Sequence, residues 1–229
     1  FRKDPAGGRI LPLGKGGDRE WVVPLGMEGG ARDGELVEAE AAERRSGRMG
    51  LPRARVVERL GDPTAPRAVS LIAIHEHGIP DAFPEAALAE AEGAAPAGME
   101  GREDLRDLAL LTIDPEDARD RDDAVLATPD DDPGNEGGFV IWVAIADVAF
   151  YVRPGSELDA EARLRGNSTY FPDRVVPMLP ERLSGDLCSL HEGVDRAVLA
   201  VRMRIDAQGR KLEHRFARGL MRSRASLAY

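Results

Sequence analysis

Four aspartates lie close together in one short stretch of the chain. Asp114 directly follows the apolar run Leu108–Ile113, and Asp120, Asp122 and Asp123 come soon after it. Two unit charges about 4 Å apart repel by about 4 kcal/mol at an effective dielectric near 20, so carboxylates that converge need cations. Oxygen ligands in this number suit Mg²⁺, with Mn²⁺ as an alternative. A solvated acidic loop is the ordinary interpretation of such a run, but the position of Asp114 at the end of a rigid element favours a metal site.

The spacing also restricts the backbone between these aspartates. In an extended strand Asp120 and Asp122 would face one way and Asp123 the other. All four carboxylates can therefore converge only if the chain between Asp114 and Asp120 is a curled loop, which Pro115 helps to start. An EF-hand calcium loop does not fit, because Ala124 occupies its third ligand position counted from Asp120 and no glycine follows. A phosphatase-type D-x-D motif fails too, since a glutamate stands where its second aspartate would be. Magnesium-assisted phosphoryl chemistry remains.

The first part of the chain predicts a small β-barrel. Glycine-rich turns at positions 7–8, 14–17, 26–30 and 47–50 separate short candidate strands at Ile10–Leu13, Trp21–Pro24, Glu35–Ala42 and Ala54–Leu60. The alternation of Val37, Ala39 and Ala41 with two glutamates predicts a half-buried strand. Several short strands punctuated by glycine favour an OB-like barrel over residues 1–61.

The middle of the chain, residues 62–101, predicts a helical linker. The spacing of its apolar residues predicts one helix that ends before Gly78 and Pro80, and Glu85–Glu92 is rich in alanine and glutamate, which favour a second.

From Arg102 onward the pattern predicts an α+β domain that continues to Tyr229. Phe139–Val152 is long, apolar and rich in β-branched residues, which indicates a strand buried on both faces. Ser156–Asp159 resembles a capping box that starts a helix over Glu157–Arg165, with Gly166 just beyond its end. Two later strands are expected at Ala197–Asp206 and Leu212–Leu220. The fold class is therefore mixed, with an all-β barrel, a helical linker and an α+β domain.

Composition limits the classes of protein to which the chain can belong. The 229 residues are 42% hydrophobic and 31% charged, which excludes wholesale disorder and a membrane protein. A single cysteine excludes an internal disulfide and a zinc site that needs several thiolates. The net charge of -10 argues at first against a nucleic-acid partner. Much of this acid lies between Glu100 and Glu136, however, where magnesium would turn the carboxylates into a phosphate-binding group.

The motifs together resemble a known family. The run from Asp114 to Ala124 is similar to the signature of the ribonuclease II and ribonuclease R superfamily, and is closer to the ribonuclease R branch. The similarity continues through ordered segments across the rest of the chain, at Trp142–Val148, Tyr151–Pro154, Arg165–Pro172, Val176–Pro180 and Leu187–Leu190. Upstream, His77–Pro80 and the glycine-rich barrel resemble the linker and the second cold-shock-type domain of the same enzymes.

The resemblance implies a function and assigns residues to it. It implies processive 3′-to-5′ hydrolysis of single-stranded RNA to nucleoside 5′-monophosphates. Asp114, Asp120, Asp122 and Asp123 match the family's magnesium ligands, and Asp122 matches the residue most closely tied to hydrolysis. Tyr170 matches an aromatic residue that stacks near the scissile nucleotide. An aromatic clamp suits an unselective enzyme, because every base has a π-face.

Three further expectations concern the site and the extent of the chain. Asp147 lies within an apolar segment, and either supports the metal site from behind or makes a purely structural hydrogen bond. Arg121 stands where the family usually has an apolar residue, and pairs with a neighbouring aspartate or contacts phosphate. Because the chain starts at Phe1 and lacks the family's later arginine and acidic site residues, we expect a fragment of a longer protein with little activity alone.

The expected partner is the 3′ end of single-stranded RNA. We expect a cytoplasmic monomer with no membrane association, since no apolar run approaches the roughly 20 residues that a membrane helix needs. The alternative function is a non-catalytic RNA-binding or regulatory module that keeps the motif without the activity. A downstream sequence with the missing arginine and acidic residues would favour the enzyme.

Overall fold

The structure, a computed structural model, describes residues 1–12, 19–42 and 51–229. It divides into two compact units. The first comprises Phe1–Asp81 with Tyr170–Val176, and the second comprises Ala82–Thr169 with Pro177–Tyr229. Within the described residues, no helix is both long enough and apolar enough to span a membrane.

The first unit contains the predicted barrel. Its elements in chain order are β1 (Arg2–Asp4), β2 (Gly7–Ile10), β3 (Trp21–Pro24), β4 (Leu36–Ala41), β5 (Ala54–Gly61) and α1 (Pro66–Glu76). Strands β1, β2 and β3 form one antiparallel sheet and β4 and β5 another. A bridge between Val22 and Arg53 joins the two sheets, and Val23, Ala31 and Val56 form the core between them. The prediction of a small all-β domain is confirmed.

Two details of the barrel differ from the sequence prediction. Gly7 and Gly8 lie in β2 rather than in a turn. Position 7 of this strand requires glycine, because its φ is 127° and a Cβ there would stand 2.2 Å from the Val23 carbonyl oxygen. Strand β2 ends at Ile10. The prediction of a strand over Ile10–Leu13 is therefore wrong for Leu11 and Pro12, which lie outside any strand. Leu13 itself and the glycines at 14–17 and 47–50 lie outside the described residues.

The burial pattern of β4 was also wrongly predicted. Ala39 and Ala41 are exposed, so the strand does not alternate between buried and exposed residues. The register with β5 shifts between Leu36 and Val37 and again between Glu38 and Ala39. At each shift the side chains that follow change the side of the sheet on which they lie, so the two-residue period on which the prediction depended is interrupted.

Both predicted linker helices are present. The first, α1, ends at Glu76 and is followed by Gly78 with φ 61°. The second, α2 (Glu85–Glu92), lies in the second unit and buries Ala87 and Ala91 in that unit's core.

The second unit is built on an antiparallel sheet. The remaining elements in chain order are β6 (Glu103–Asp104), β7 (Thr112–Asp114), β8 (Asp123–Pro129), β9 (Phe139–Ala146), α3 (Val148–Tyr151), α4 (Glu157–Arg165), β10 (Thr169–Phe171), β11 (Arg174–Val176), β12 (Asp195–Ile205), β13 (Lys211–Arg222) and β14 (Ser226–Ala228). The main sheet has the order β6-β13-β12-β9-β8, in which only β6 runs parallel to its neighbour. Strand β14 pairs in parallel with β7. A π-helix at Arg182–Leu187 contributes Leu183 and Leu187 to the core.

The central strand β9 is covered on one face only. Trp142, Ala144 and Ala146 are buried, whereas Ile145 on the opposite face is 46% exposed. The strand also ends at Ala146, where α3 follows after one residue. The prediction of a strand to Val152 with both faces buried is therefore wrong. The physical reason is that the sheet is antiparallel, and such sheets need only one covered face.

Helix α4 forms as its sequence predicts. The Ser156 Oγ accepts a hydrogen bond from the Asp159 backbone N–H at 3.2 Å, which caps the first turn. Gly166, with φ 77°, follows the last residue of the helix and allows the chain to turn away. Beyond it, β10 and β11 form a two-stranded hairpin that carries Tyr170.

Candidate active site

The acidic loop runs between two anchored strands. Asp114 is the last residue of β7 and Asp123 is the first of β8. Strand β7 covers only the end of the apolar run Leu108–Ile113, since Leu108–Leu110 lie outside any strand and Leu111 forms an isolated bridge to Val125. Paired backbone hydrogen bonds between Leu111 and Val125, of 3.1 and 2.9 Å, hold the two arms together. The intervening chain turns at Pro115, whose carbonyl accepts a bond from the Ala118 N–H at 3.0 Å. The predicted curled loop is therefore present.

Strand β9 fixes the second half of the aspartate run. The Ala146 N–H donates to the Asp122 carbonyl at 2.8 Å, and Asp123 pairs with Ile145. The side chains of Asp122 and Asp123 are exposed, whereas Asp114 is 9% exposed. The site thus has one buried carboxylate and, beside it, carboxylates that solvent and a substrate can reach.

Ser189 holds the residues on both sides of Asp120. Its hydroxyl donates to the Arg119 carbonyl at 2.7 Å and accepts from the Arg121 N–H at 3.2 Å. The next residue, Leu190, donates its N–H to the Arg121 carbonyl at 2.8 Å. Ser189 is fully buried. Ser189 belongs to the family-like run Leu187–Leu190, but nothing in its local sequence indicates that a residue so far along the chain reaches the loop.

Replacing Ser189 by alanine should lower turnover in the full-length protein. The loop around Asp120 would lose two of its three fastenings to this segment, and small displacements of reacting groups can cost about a hundredfold in rate. We expect a fall of about tenfold to a hundredfold in turnover, with RNA affinity little changed. Steady-state kinetics would measure it, with Ser184→Ala as the matched control, since the Ser184 hydroxyl donates to the Leu179 and Pro180 carbonyls of its own segment. Equal turnover in both variants would refute the role of Ser189.

Burial and the neighbouring carboxylates raise the pKa of Asp114 and of Asp122. Burial raises the pKa of Asp114 above its usual value, and the negative charges of Asp123 and Asp120 raise it further, while Arg121 opposes them. Loss of hydration likewise raises the pKa of Asp122, with further increases from Asp123, Asp120 and Asp114. The charges of Asp123 and Asp120 thus act on both Asp114 and Asp122, as the spacing of the four aspartates predicts.

One atom of this group lacks a hydrogen bond. The Asp114 Oδ2 is buried and has no hydrogen-bond partner. Its nearest cation is the Arg121 Nε at 3.7 Å, which is beyond hydrogen-bond distance and is itself buried without a hydrogen-bond partner. The departure from the family pattern at Arg121 therefore places a charge next to Asp114, one of the two alternatives expected for it.

The residues fit a divalent cation in chemistry, although their side chains are not arranged around one. An unpartnered buried carboxylate oxygen among mutually repelling carboxylates is what a cation would stabilise. In the part of the chain that the structure describes, however, no three His, Cys, Asp or Glu side chains are grouped so as to hold a metal ion. The assignment of the four aspartates as magnesium ligands stays a prediction.

The raised pKa of Asp114 has a consequence for stability without metal. The folded chain binds this proton more tightly than the unfolded chain, so stability falls as pH rises through the range above the ordinary aspartate pKa of about 3.9. Asp114→Asn should therefore raise the melting temperature at pH 7 without Mg²⁺, and the gain should vanish near pH 3.

Adding Mg²⁺ should reverse this order, because a ligand that binds only the folded state stabilises it. Thermal unfolding at both pH values, with and without Mg²⁺, measures both effects. A variant that melts below the wild type at pH 7 in the absence of metal would count against the electrostatic account.

Asp147 lies directly after β9 and is buried. Its Oδ2 lies 2.8 Å from the Arg102 Nη1, although the angle falls outside hydrogen-bond geometry, and 3.6 Å from the Arg218 Nε. Arg102 is buried as well and stacks over the ring of Phe150 with its Cζ 5.0 Å from the centroid. The carboxylate thus has an arginine partner, which gives it a structural role. Support of the metal site from behind stays a prediction.

Tyr170 is presented to solvent on the hairpin. Its side chain is 65% exposed on β10, and the segment Tyr170–Val176 belongs to the first compact unit, whereas the aspartates belong to the second. Exposure is what a base-stacking role requires, and this role also stays a prediction.

Comparisons with known proteins match both units. A family model described as the RNB domain matches residues 102–229, and a cold shock domain model matches residues 11–84. The chain is 45% identical over 212 residues to Ribonuclease R of Vibrio parahaemolyticus, covering 91% of this chain and 25% of that protein. It is 47% identical over 217 residues to Ribonuclease R of Acidithiobacillus ferrooxidans, covering 93% of this chain and 46% of that protein.

A solved structure gives the same result. Mycoplasma genitalium RNase R in complex with double-stranded RNA matches with a TM-score of 0.79 and 29% identity, over 93% of this chain and 38% of that one. Barrel and sheet thus define a cold-shock-type domain followed by an RNB domain. The chain belongs to the RNB domain family, and the resemblance to ribonuclease R inferred from its motifs is confirmed. It spans about a quarter to a half of the length of these curated relatives.

Proposed function

We propose that this chain is the barrel and the first part of the catalytic domain of a hydrolytic exoribonuclease. The enzyme degrades single-stranded RNA processively from the 3′ end and releases nucleoside 5′-monophosphates, as a monomer in the cytoplasm. The observation that carries the proposal is the buried Asp114 Oδ2, which lacks a hydrogen-bond partner and lies within reach of the charges of Asp120 and Asp123, in a chain of the RNB family.

The four aspartates would hold Mg²⁺, or Mn²⁺ in its place. A divalent ion bound there would supply Lewis-acid polarisation of phosphate oxygen and a water of lowered pKa. Asp114 is suited to a fixed ligand position, because it is buried at the end of a strand. Asp122 is suited to act at the substrate, because its backbone is anchored by Ala146 while its side chain stays exposed.

Two further side chains would orient the RNA. Tyr170 would stack on a base near the 3′ end without selecting its identity, since stacking is tolerant of sequence. Arg121 reduces the negative charge around Asp114, and its guanidinium can attract a phosphate group. Structures of the Mycoplasma genitalium relative that contain single-stranded and double-stranded RNA support RNA as the partner.

The alternative proposal is an RNA-binding or regulatory module without activity. The absence of a preformed group of three metal ligands in residues 1–12, 19–42 and 51–229 favours it. Residues beyond this chain would decide between the two proposals, since the curated relatives are about two to four times as long.

The test is a magnesium-dependent assay on single-stranded RNA labelled at the 5′ end or the 3′ end. The full-length protein and this 229-residue chain are compared, each with Mg²⁺ and with a chelator in excess. The 3′ label should appear at once as a mononucleotide, whereas the 5′ label should stay in long RNA until the end of the reaction. Internal cuts, or activity that survives the chelator, would contradict the proposed reaction.

A further inference from the structure

The chain passes between the two compact units at three places. The crossings lie between residues 81 and 82, between 169 and 170, and between 176 and 177. The hairpin that carries Tyr170 lies between the last two of them. Both ends of the hairpin are therefore joined to chain of the second unit, while its Asp173 accepts a hydrogen bond from the Ser70 hydroxyl within the first unit.

Arg165 contacts the second unit's chain at two of these places. Its Nη2 donates to the Ala82 carbonyl at 2.8 Å, and its Nη1 donates to the Pro177 carbonyl at 3.0 Å. The guanidinium also stacks on the ring of Phe83, with Cζ 3.7 Å from the centroid. The remaining crossing, between residues 169 and 170, lies four residues after Arg165 in the chain. One side chain thus fastens the chain beside two of the three crossings and precedes the third.

This arginine is buried and neutralised. Its side chain is 2% exposed, and its Nε donates to the Glu161 Oε1 at 2.7 Å on the previous turn of α4. The guanidinium thus donates to three partners in different directions and also stacks on an aromatic ring. This requires the planar, forked group that distinguishes arginine from lysine. A lysine could satisfy only part of this set.

A second contact closes the base of the hairpin. The Met178 N–H donates to the Ser168 Oγ at 3.0 Å, directly beyond the Arg165–Pro177 contact. The two hydrogen bonds join the arm that enters the hairpin to the arm that leaves it. Both lie within the second unit.

We propose that Arg165 is a positioning residue for RNA binding: it holds together the two arms at the base of the hairpin, and the hairpin so braced presents Tyr170 to the RNA. The inference rests on the proposed function, and it assigns a specific task to a residue that cannot touch RNA itself. Arg165 acts on substrate binding through Tyr170, and it has no part in the chemistry at the aspartates.

The test compares the KM and turnover of full-length variants on single-stranded RNA. Arg165→Lys should raise KM by about tenfold, within the range that loss of one base stack can cause, while turnover changes less than about twofold. Arg163→Lys is the matched control, because Arg163 lies on the same helix and makes the equivalent contact to Asp159, yet its side chain is 76% exposed. It should leave both constants unchanged.

A double-mutant cycle separates positioning from general damage. If Arg165 acts through Tyr170, Arg165→Lys should have no further effect on KM in a Tyr170→Ala background. Effects of the two changes that multiply would overturn the proposal, as would a fall in turnover with KM unchanged. A failure of the proposed function would look different, because then no variant, including the wild type, would hydrolyse RNA. The same cycle could in that case be measured on RNA affinity alone.

A gentler variant keeps the test valid if Arg165→Lys does not fold. Ser168→Ala removes the second contact at the base and leaves no buried charge. It should raise KM in the same direction by a smaller factor, and this increase should also disappear in the Tyr170→Ala background. The proposal would be overturned if KM were unchanged in Ser168→Ala and if the effects of the Arg165 and Tyr170 changes on KM multiplied. Arg165 would then serve only as the partner of Glu161 in a buried ion pair.

Discussion

Asp122→Asn in the full-length protein is expected to abolish RNA hydrolysis while RNA binding survives. Asparagine has nearly the same shape, and the backbone of residue 122 stays anchored by the Ala146 N–H, so the loop should keep its conformation. The change removes a carboxylate that we assign both to metal binding and to hydrolysis. Loss of a positioned group of this kind costs at least about a hundredfold in rate.

Turnover and affinity should be measured on the same RNA. Single-turnover hydrolysis gives the rate of the chemical reaction, and fluorescence anisotropy gives the dissociation constant. Asp117→Asn is the matched control, because Asp117 lies exposed in the same loop but outside the four predicted ligands. Full activity in Asp122→Asn would disprove the role assigned to that residue, whereas equal losses in both variants would point to general disruption of the loop.

Arg102→Met should cause a large loss of stability in the second unit. The change leaves the buried Asp147 carboxylate without its 2.8 Å partner, and an uncompensated buried charge costs about 3–5 kcal/mol. Arg218 does not replace Arg102, since it lies 3.6 Å away and its side chain is 52% exposed. Arg218→Met should therefore cost at most about 1 kcal/mol, the range of exposed ion pairs.

Denaturation monitored by tryptophan fluorescence can measure this loss. The chain has two tryptophans, so a Trp21→Phe background leaves the buried Trp142 as the reporter of the second unit. The double variant Arg102→Met with Asp147→Asn should recover part of the stability, because the stranded charge is gone. Equal stability of Arg102→Met and Arg218→Met would show that the pair is not the constraint that its burial indicates.

Local sequence was enough to predict the elements whose signals are local. Ser156 caps α4, Gly166 ends it, and Asp114 closes a strand before a curled loop, all as predicted. Where the prediction failed, the deciding influence was tertiary. The bulges in β4 depend on its register with β5, and the exposed face of β9 depends on which side of the sheet the helices cover.

The candidate site divides in the same way. The four aspartates are close in sequence, so their spacing alone predicts that they are neighbours. Ser189 and Arg102 are remote in sequence from the residues they hold, and a hydroxyl or a guanidinium carries no local sign of its partner. The same is true of Arg165, which looks like any basic residue in the last turn of a helix until its contacts at the base of the hairpin are seen.

The central claim is that the four aspartates serve an enzyme that starts at a free 3′ end. It is tested most directly by giving the full-length protein one RNA sequence in linear and in circular form, in the same tube, with Mg²⁺. The account predicts that the linear RNA is converted to nucleoside 5′-monophosphates while the circle persists, and that Asp122→Asn spares both. Degradation of the circle at the rate of the linear RNA would contradict the account.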